Sequence, residues 1–212
     1  MHFKLLIGTV VSAVGLSSAS AITTVAGYSF QDNAFADSVL ASSGTYTLAG
    51  AASLSAAVTG SSLTKYAFSS STGAALDGAN IQLGFTDNYL VNGAGFDLAL
   101  FEYGTASTFA VTIGGITHNY LTSGTGFTTS IGGPTLQVNV AQINLDDFGA
   151  ASGAQFSSIL IGMGILPNLP TLGVVGALNS TPVQTQAVPD AGSTLSMLGA
   201  ALAGLGLLKR KF

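Results

Sequence analysis

The central part of the chain is divided into short runs of apolar and β-branched residues by glycines and small polar residues. These runs lie at residues 80–85, 97–102, 108–113, 116–121, 135–145 and 157–161. Residues 135–145 alternate apolar and polar side chains, the period-two pattern of a half-buried strand. Charged helix formers are scarce, with one Glu and one Lys between residues 22 and 187, so no amphipathic helix is indicated there. The pattern therefore predicts an antiparallel all-β fold.

Turn residues extend this prediction to an architecture. Gly114 and Gly115 separate two of the runs and predict a two-residue hairpin turn, because glycine accepts the positive φ angles that such turns require. Residues 41–80 are rich in Ala, Ser, Gly and Thr with spaced apolar residues, and we interpret them as short strands at a sheet edge. Together these features predict one antiparallel β-sandwich, jelly-roll-like, over about residues 24–180, with helices only at the two ends of the chain. A β-helix is the alternative, although no fixed-length repeat supports it.

The N-terminus has the features of a secretory signal peptide in the right order. A short basic start precedes an uncharged, largely apolar run at residues 5–16, and Ala19 and Ala21 fit the small-x-small cleavage rule. The run is too short for a stable membrane anchor, which takes roughly 20 residues. We predict a signal helix, export through the Sec translocon and cleavage after Ala21. A buried N-terminal helix or strand is the alternative.

The C-terminus carries a second export feature. Residues 191–208 have no charge, and as a helix they would extend for about 27 Å. That length is close to the roughly 30 Å of a hydrocarbon core, so we predict a C-terminal transmembrane helix. Lys209, Arg210 and Lys211 follow it, and the positive-inside rule keeps such a basic stop in the cytoplasm. The bulk of the chain would then be held in the periplasm. A plain tail anchor is the alternative interpretation.

The segment before this span completes a three-part tail. It consists of Val188, Pro189, Asp190, Ala191, Gly192, Ser193 and Thr194. The tail resembles the PEP-CTERM sorting signals of exosortase-containing Gram-negative bacteria, most closely the VPDSG-CTERM type, from which Ala191 departs. The resemblance implies that an exosortase, a membrane-embedded cysteine peptidase, recognises Pro189 and Asp190 and cuts nearby. It also implies a transient inner-membrane anchor and final delivery to the cell surface or the extracellular matrix.

These signals divide the chain into four predicted segments. They are a signal peptide at residues 1–21, a β-sandwich domain at 22–180, a linker at 181–187 and a sorting signal at 188–212. Within the domain, some blocks resemble β-sandwich surface proteins that exosortases sort, although no activity comes with that resemblance. The blocks are residues 87–102, 143–149, 156–161 and 175–179.

Charge and catalytic motifs limit the possible functions. Between residues 22 and 187, eight acidic residues stand against one lysine, a net charge of −7 that disfavours nucleic acid as a partner. That part has one histidine, His118, so two-histidine metal motifs are excluded, and no nucleophile elbow or phosphate-binding loop occurs. We predict a non-catalytic surface or matrix protein, associated with exopolysaccharide. The alternative is a small carbohydrate-active enzyme or carbohydrate-binding module of β-sandwich fold, with tyrosines stacking on sugars because tryptophan is absent.

The acidic residues of the domain allow two interpretations. Asp97 and Glu102 lie at opposite ends of one apolar run, about 17 Å apart in a strand, too far for an acid–base pair. We interpret them as residues that cap strand ends and accept hydrogen bonds from loop N–H groups. The alternative is a structural calcium ion, for which Asp and Asn oxygens in loops are suitable ligands; no other cofactor is predicted. The candidate calcium ligands are Asp87, Asn88, Asp97, Asp146 and Asp147.

Overall fold

The computed structural model describes residues 21–69, 78–164 and 169–183. In chain order its strands are β1 (Ile22–Val25), β2 (Tyr28–Gln31), β3 (Ser38–Ser43), β4 (Thr47–Ala49), β5 (Tyr66–Phe68), β6 (Asn80–Gly84), β7 (Asn88–Val91), β8 (Leu98–Tyr103), β9 (Thr108–Ile113), β10 (Ile116–Leu121), β11 (Ser123–Ser130), β12 (Thr135–Ile143), β13 (Gln155–Phe156), β14 (Ser158–Gly162), β15 (Thr171–Ala177) and β16 (Ser180–Pro182). Two short helices join them, namely α1 (Leu54–Val58) and a 3-10 helix (Leu145–Phe148).

Two large antiparallel sheets form the body of the domain. A five-stranded sheet has the order β10-β9-β14-β6-β3, and a six-stranded sheet has the order β11-β12-β8-β15-β5-β4. Two small sheets, β1-β2 and β13-β7-β16, complete the described part. Every strand pairing is antiparallel, so the predicted antiparallel all-β fold is confirmed.

One hydrophobic core joins the two large sheets, as in the predicted sandwich. It contains Ile81 and Ile161 from the five-stranded sheet and Leu98 and Phe101 from the six-stranded sheet, all without exposed surface. All six residues of β8 are buried. Aromatic residues of the β1–β2 hairpin pack on this strand, with the Phe101 ring centroid 5.6 Å from that of Tyr28. This double cover explains why β8 begins with four consecutive apolar residues, Leu98 to Phe101, instead of alternating.

The predicted hairpin is confirmed at the predicted residues. β9 and β10 pair from Ile113 opposite Ile116 to Thr108 opposite Leu121. Gly114 and Gly115 have φ values of +60° and +84°, as a type I′ turn requires at both central positions. The run at residues 135–145 forms a strand that ends two residues earlier than predicted, at Ile143, because the side chain of Asn144 caps the 3-10 helix by accepting from Asp146 N at 2.9 Å.

The prediction that helices occur only at the two ends of the chain is wrong, because α1 and the 3-10 helix lie inside the domain. Helix α1 begins where Ser53 accepts a hydrogen bond from Ala56 N at 3.1 Å, and it buries Ala57 and Val58. The sequence pattern of residues 41–80 predicts short strands, because the small and apolar residues of α1 fit a strand as well as a helix. The predicted signal helix and C-terminal helix lie outside the described residues. Within the described ranges, no helix combines the length and the apolar character needed to cross a membrane.

Candidate functional site

Asp97 lies directly before β8 and is completely buried. Its Oδ1 accepts from Gly93 N at 2.8 Å and from Asn179 Nδ2 at 2.7 Å, and its Oδ2 accepts from Leu145 N at 2.8 Å. The three donors belong to three separate segments of the chain. The carboxylate therefore holds together the glycine loop after β7, the start of the 3-10 helix and the turn after β15, which is the capping role that the sequence indicated.

Asp146 and Asp147 attach the 3-10 helix to its surroundings. Asp146 Oδ1 accepts from the Nδ2 atom of Asn92 at 2.8 Å, and Asn92 is 2% exposed. Asp147 Oδ2 accepts from the Tyr120 hydroxyl at 2.9 Å. Burial, followed by this hydrogen bond and the Asp147 charge, raises the pKa of Tyr120. Phe148 of the same helix packs edge-to-face against His118, with ring centroids 5.1 Å apart.

Asp87 and Asn88 lie in a different neighbourhood, beside Asp37. Asp37 Oδ2 accepts from both the backbone N and the Oγ1 of Thr86, each at 2.8 Å. Burial alone would raise the pKa of Asp37, but hydrogen bonds, chiefly from Thr86, outweigh it and lower that pKa. Burial, and then the charge of Asp37 and a hydrogen bond with it, raise the pKa of Asp87. The amide nitrogen of Asn88, in the orientation that satisfies both of its acceptors, donates to Asp87 Oδ1 at 3.0 Å and to Asn33 O at 2.7 Å.

Glu102 is the second completely buried carboxylate, near the other end of β8 from Asp97. It accepts from Ser107 N at 2.7 Å and from the hydroxyls of Ser107 and Thr122. Ser107 precedes β9 and Thr122 follows β10, so both residues lie where the chain passes between the two large sheets. Burial raises the pKa of Glu102, while these hydrogen bonds act in the opposite direction. Glu102 therefore connects two crossings of the chain from one sheet to the other.

The structure divides the candidate calcium ligands between two places. Asp97, Asp146 and Asp147 lie around the 3-10 helix, and Asp87 and Asn88 lie beside Asp37. In the described part of the chain, no group of three or more His, Cys, Asp or Glu side chains is arranged to hold a metal ion. The carboxylates named above already accept hydrogen bonds from the protein.

The Asp37–Asp87 pair was missed by sequence reasoning. The two residues are fifty positions apart, and only the pairing of β3 with β6 brings them together, with Ser38 opposite Gly84. The available signal was the position of each acid, since Asp37 directly precedes one strand and Asp87 follows another by a few residues. Finding the pair from sequence would have required knowing that these two strands are neighbours.

The sorting residues, from Val188 to Thr194 and from Lys209 to Lys211, lie outside the described residues, as does Ala19. Ala21 is described, and its carbonyl oxygen accepts from Asp32 N at 3.1 Å. Strand β1 begins at Ile22, directly after the predicted cleavage position.

Comparison with known proteins identifies the tail. Residues 187–212 match the family model of the VPDSG-CTERM motif. No curated protein and no solved structure matches the chain. The chain therefore combines an antiparallel β domain with a C-terminal sorting signal. That signal is a VPDSG-CTERM motif, as the resemblance predicted, and it supports export, exosortase processing and a surface or extracellular location.

Proposed function

We propose that this protein is exported through the Sec translocon, held briefly in the inner membrane, cut by an exosortase near Pro189 and Asp190, and delivered to the cell surface or the extracellular matrix. There its β-sandwich has a non-catalytic role in association with exopolysaccharide. The observation that carries the proposal is the match of residues 187–212 to the VPDSG-CTERM motif.

Physical properties of the tail support transient anchoring. A basic residue at the centre of a bilayer costs roughly 2.5–3.5 kcal/mol on insertion scales, so Lys209, Arg210 and Lys211 together resist translocation. The apolar residues 195–208 before them include many Gly and Ala residues and are only weakly hydrophobic. Such a span stops the chain in the membrane but is held weakly, which suits a segment that a protease removes.

The hydrogen bonds of the acidic residues support a non-catalytic role. Asp97 and Glu102 are completely buried, so neither can touch a substrate in the folded domain. Asp37 and Asp87 are exposed, but both carboxyl groups already have partners within the protein, since Asp37 accepts two hydrogen bonds from Thr86 and Asp87 accepts one from Asn88. Net negative charge on the exported part further favours a neutral polymer over an acidic one as the associated polysaccharide.

Two variants in the native host test the route. Deletion of residues 195–212 should release soluble protein without surface attachment, because the stop and the anchor are gone. Replacing Pro189 and Asp190 with alanine should leave an uncut, membrane-held precursor, visible on an immunoblot as a band heavier than the mature protein. The matched control is the double replacement Gln184→Ala and Gln186→Ala a few residues upstream, which should be processed normally. Normal surface delivery of both test variants would refute the proposal.

The carbohydrate-active enzyme is the second candidate, and one observation favours it. The pKa of Asp37 is lowered while that of Asp87 is raised, and opposite shifts in neighbouring carboxyl groups are a property of acid–base pairs. The test is release of reducing ends from host exopolysaccharide by the wild type, Asp37→Asn and Asp87→Asn. Release that both variants abolish would establish the enzyme, and binding of the polysaccharide without release would support the non-catalytic proposal.

A further inference from the structure

Asn92 and Gly93 form the one Asn-Gly sequence in the chain. Asn followed by Gly is especially prone to deamidation, because glycine has no side chain to hinder attack by its own backbone nitrogen on the Asn side chain. The nitrogen of Gly93 loses its proton and bonds to Cγ of Asn92, and the Cγ–Nδ2 bond breaks to release ammonia. Water then opens the succinimide ring and leaves aspartate or isoaspartate at position 92.

The fold requires both residues of this sequence. A Cβ atom at Gly93 would lie 2.6 Å from the Cγ and Nδ2 atoms of Asn179, which is too close for atoms that are not bonded. Asn179 cannot move aside without losing the hydrogen bond of 2.7 Å that it donates to Asp97 Oδ1. Asn92 Nδ2 donates two hydrogen bonds of 2.8 Å, one of them to Asp146 Oδ1, and an ionised aspartate has no proton to replace them. The loop therefore depends on a sequence that is chemically labile.

The contacts of the folded loop oppose each part of the reaction. Gly93 N–H donates to Asp97 Oδ1 at 2.8 Å, and loss of its proton beside this buried carboxylate would place two negative charges together. Asn92 Oδ1, where negative charge develops during the attack, has no hydrogen-bond donor among the described residues. The backbone of Asn92 is also fixed, since its N donates to Ala154 O at 2.9 Å and its O accepts from Gly153 N at 2.8 Å.

We propose that Asn92 is a deamidation site that is protected in the folded domain, reacts when the loop opens, and in reacting prevents the loop from closing again. Either product has a carboxylate oxygen where the amide nitrogen was. That oxygen would face Asp146 Oδ1 and Ala150 O, which are both acceptors, in a site where Asn92 is only 2% exposed. Isoaspartate also lengthens the main chain before Gly93 by one carbon, which moves the Gly93 N–H away from Asp97. Opening of the loop is therefore irreversible once the reaction has occurred.

The first test compares the folded and the unfolded chain. The full chain is incubated in mildly alkaline buffer with mild detergent or with guanidinium chloride, and the chymotryptic peptide of residues 90–96 is analysed by mass spectrometry. These residues contain no other Asn or Gln, so the mass increase from replacing NH2 by OH reports on Asn92 alone. Deamidation should be about tenfold slower or more in the folded chain, because an open minor state is populated to about 10% or less. A synthetic peptide of residues 90–96 in both buffers corrects for the denaturant, and equal corrected rates would overturn the proposal.

Two matched pairs of variants test the contacts and the consequence. Asp146→Ala removes an acceptor of the leaving nitrogen of Asn92 and should speed deamidation of the folded chain several-fold. Asp147→Ala removes the neighbouring carboxylate, which accepts from Tyr120 instead, and should not. Asn92→Asp reproduces one product and should unfold at a lower denaturant concentration than Asn119→Asp, the same change at an exposed position. Equal rates for the first pair would overturn the protective role of Asp146, and equal midpoints for the second would overturn the claim that the loop cannot close again.

Discussion

The two ends of β8 each have a buried carboxylate, but the two groups have different partners. Asp97 is surrounded by three N–H donors, which can only donate. Glu102 receives one N–H and two hydroxyl groups. A hydroxyl can also accept a hydrogen bond, so the Glu102 site can accommodate either the charged or the protonated carboxyl group.

This difference separates two structural uses of one functional group. At Asp97 the arrangement of donors requires an acceptor, which fixes the positions of three chain segments. At Glu102 burial raises the pKa and no described cationic side chain lies against the carboxyl group, so its proton occupancy varies with pH. The Glu102 end of the strand is therefore expected to respond to pH.

Asp97→Ala is the variant with the largest expected effect. It leaves three N–H donors without their acceptor in a buried site, and an unsatisfied buried group costs about 1–3 kcal/mol, so the free energy of unfolding should fall by about 3–5 kcal/mol. Denaturant titration measures the loss. Asp32→Ala, which removes an exposed carboxylate from the β1–β2 hairpin, is the matched control and should leave stability nearly unchanged. A small loss for Asp97→Ala would mean that its hydrogen bonds do not hold the segments together.

A calcium titration determines whether the Asp97 end of β8 also holds an ion. An ion that binds only the folded protein adds about 2.7 kcal/mol at a hundredfold excess over Kd. The calcium hypothesis therefore predicts a higher thermal midpoint in millimolar Ca²⁺ than in chelator, and Asp146→Asn should reduce the difference. An identical midpoint in both buffers would leave Asp97, Asp146 and Asp147 with their hydrogen-bonding roles alone.

Glu102→Gln tests the other end of the strand through pH. Because the folded-state pKa of Glu102 is raised, the folded protein binds its proton more tightly than the unfolded chain. Its contribution to stability is therefore fully present below the unfolded pKa and is lost as pH rises through the folded pKa. The Gln variant lacks this loss and should become more stable than the wild type toward neutral pH, by about 1 kcal/mol. Parallel stability curves for the two proteins between pH 4 and 8 would contradict this.

Asp37→Asn extends the comparison to exposed carboxyl groups and should have the smallest effect. The charge of Asp37 contributes to the raised pKa of Asp87, so its removal should lower that pKa, with little change in stability because both groups are exposed. NMR titration of the Asp87 side chain measures the shift. Asp32→Asn serves as the control and should leave the Asp87 titration unchanged.

Local patterns predicted the local parts of the fold. β9 and β10 follow from two apolar runs with Gly114 and Gly115 between them, because a hairpin is fixed by residues that are adjacent in sequence. Helix α1 was missed because five residues, three of them Ser or Ala, fit a strand and a helix almost equally well, and Ser53 as a cap was the deciding feature. The C-terminal sorting signal was predictable because its motif, its uncharged apolar run and its basic end are contiguous in the sequence.

The candidate sites were less predictable because they bring together residues that are far apart in the sequence. The capping role of Asp97 follows from its position before a strand, but its donors Leu145 and Asn179 come from distant parts of the chain. Likewise, the Asp37–Asp87 pair depends on strands β3 and β6 being neighbours. Sequence reasoning identified most of the important acidic residues and could not group them, because the grouping is a property of sheet order.

The position of β15 has a consequence for the timing of folding. This strand lies between β8 and β5 in the six-stranded sheet, yet it is among the last parts of the domain in the chain. A chain that emerges N-terminus first therefore cannot complete the sheet until residues 171–177 have arrived. Pairings between residues so far apart in sequence form slowly, in milliseconds to seconds in comparable β proteins. The gap left for β15 therefore delays closure of the sheet until only about ten residues remain before the sorting motif.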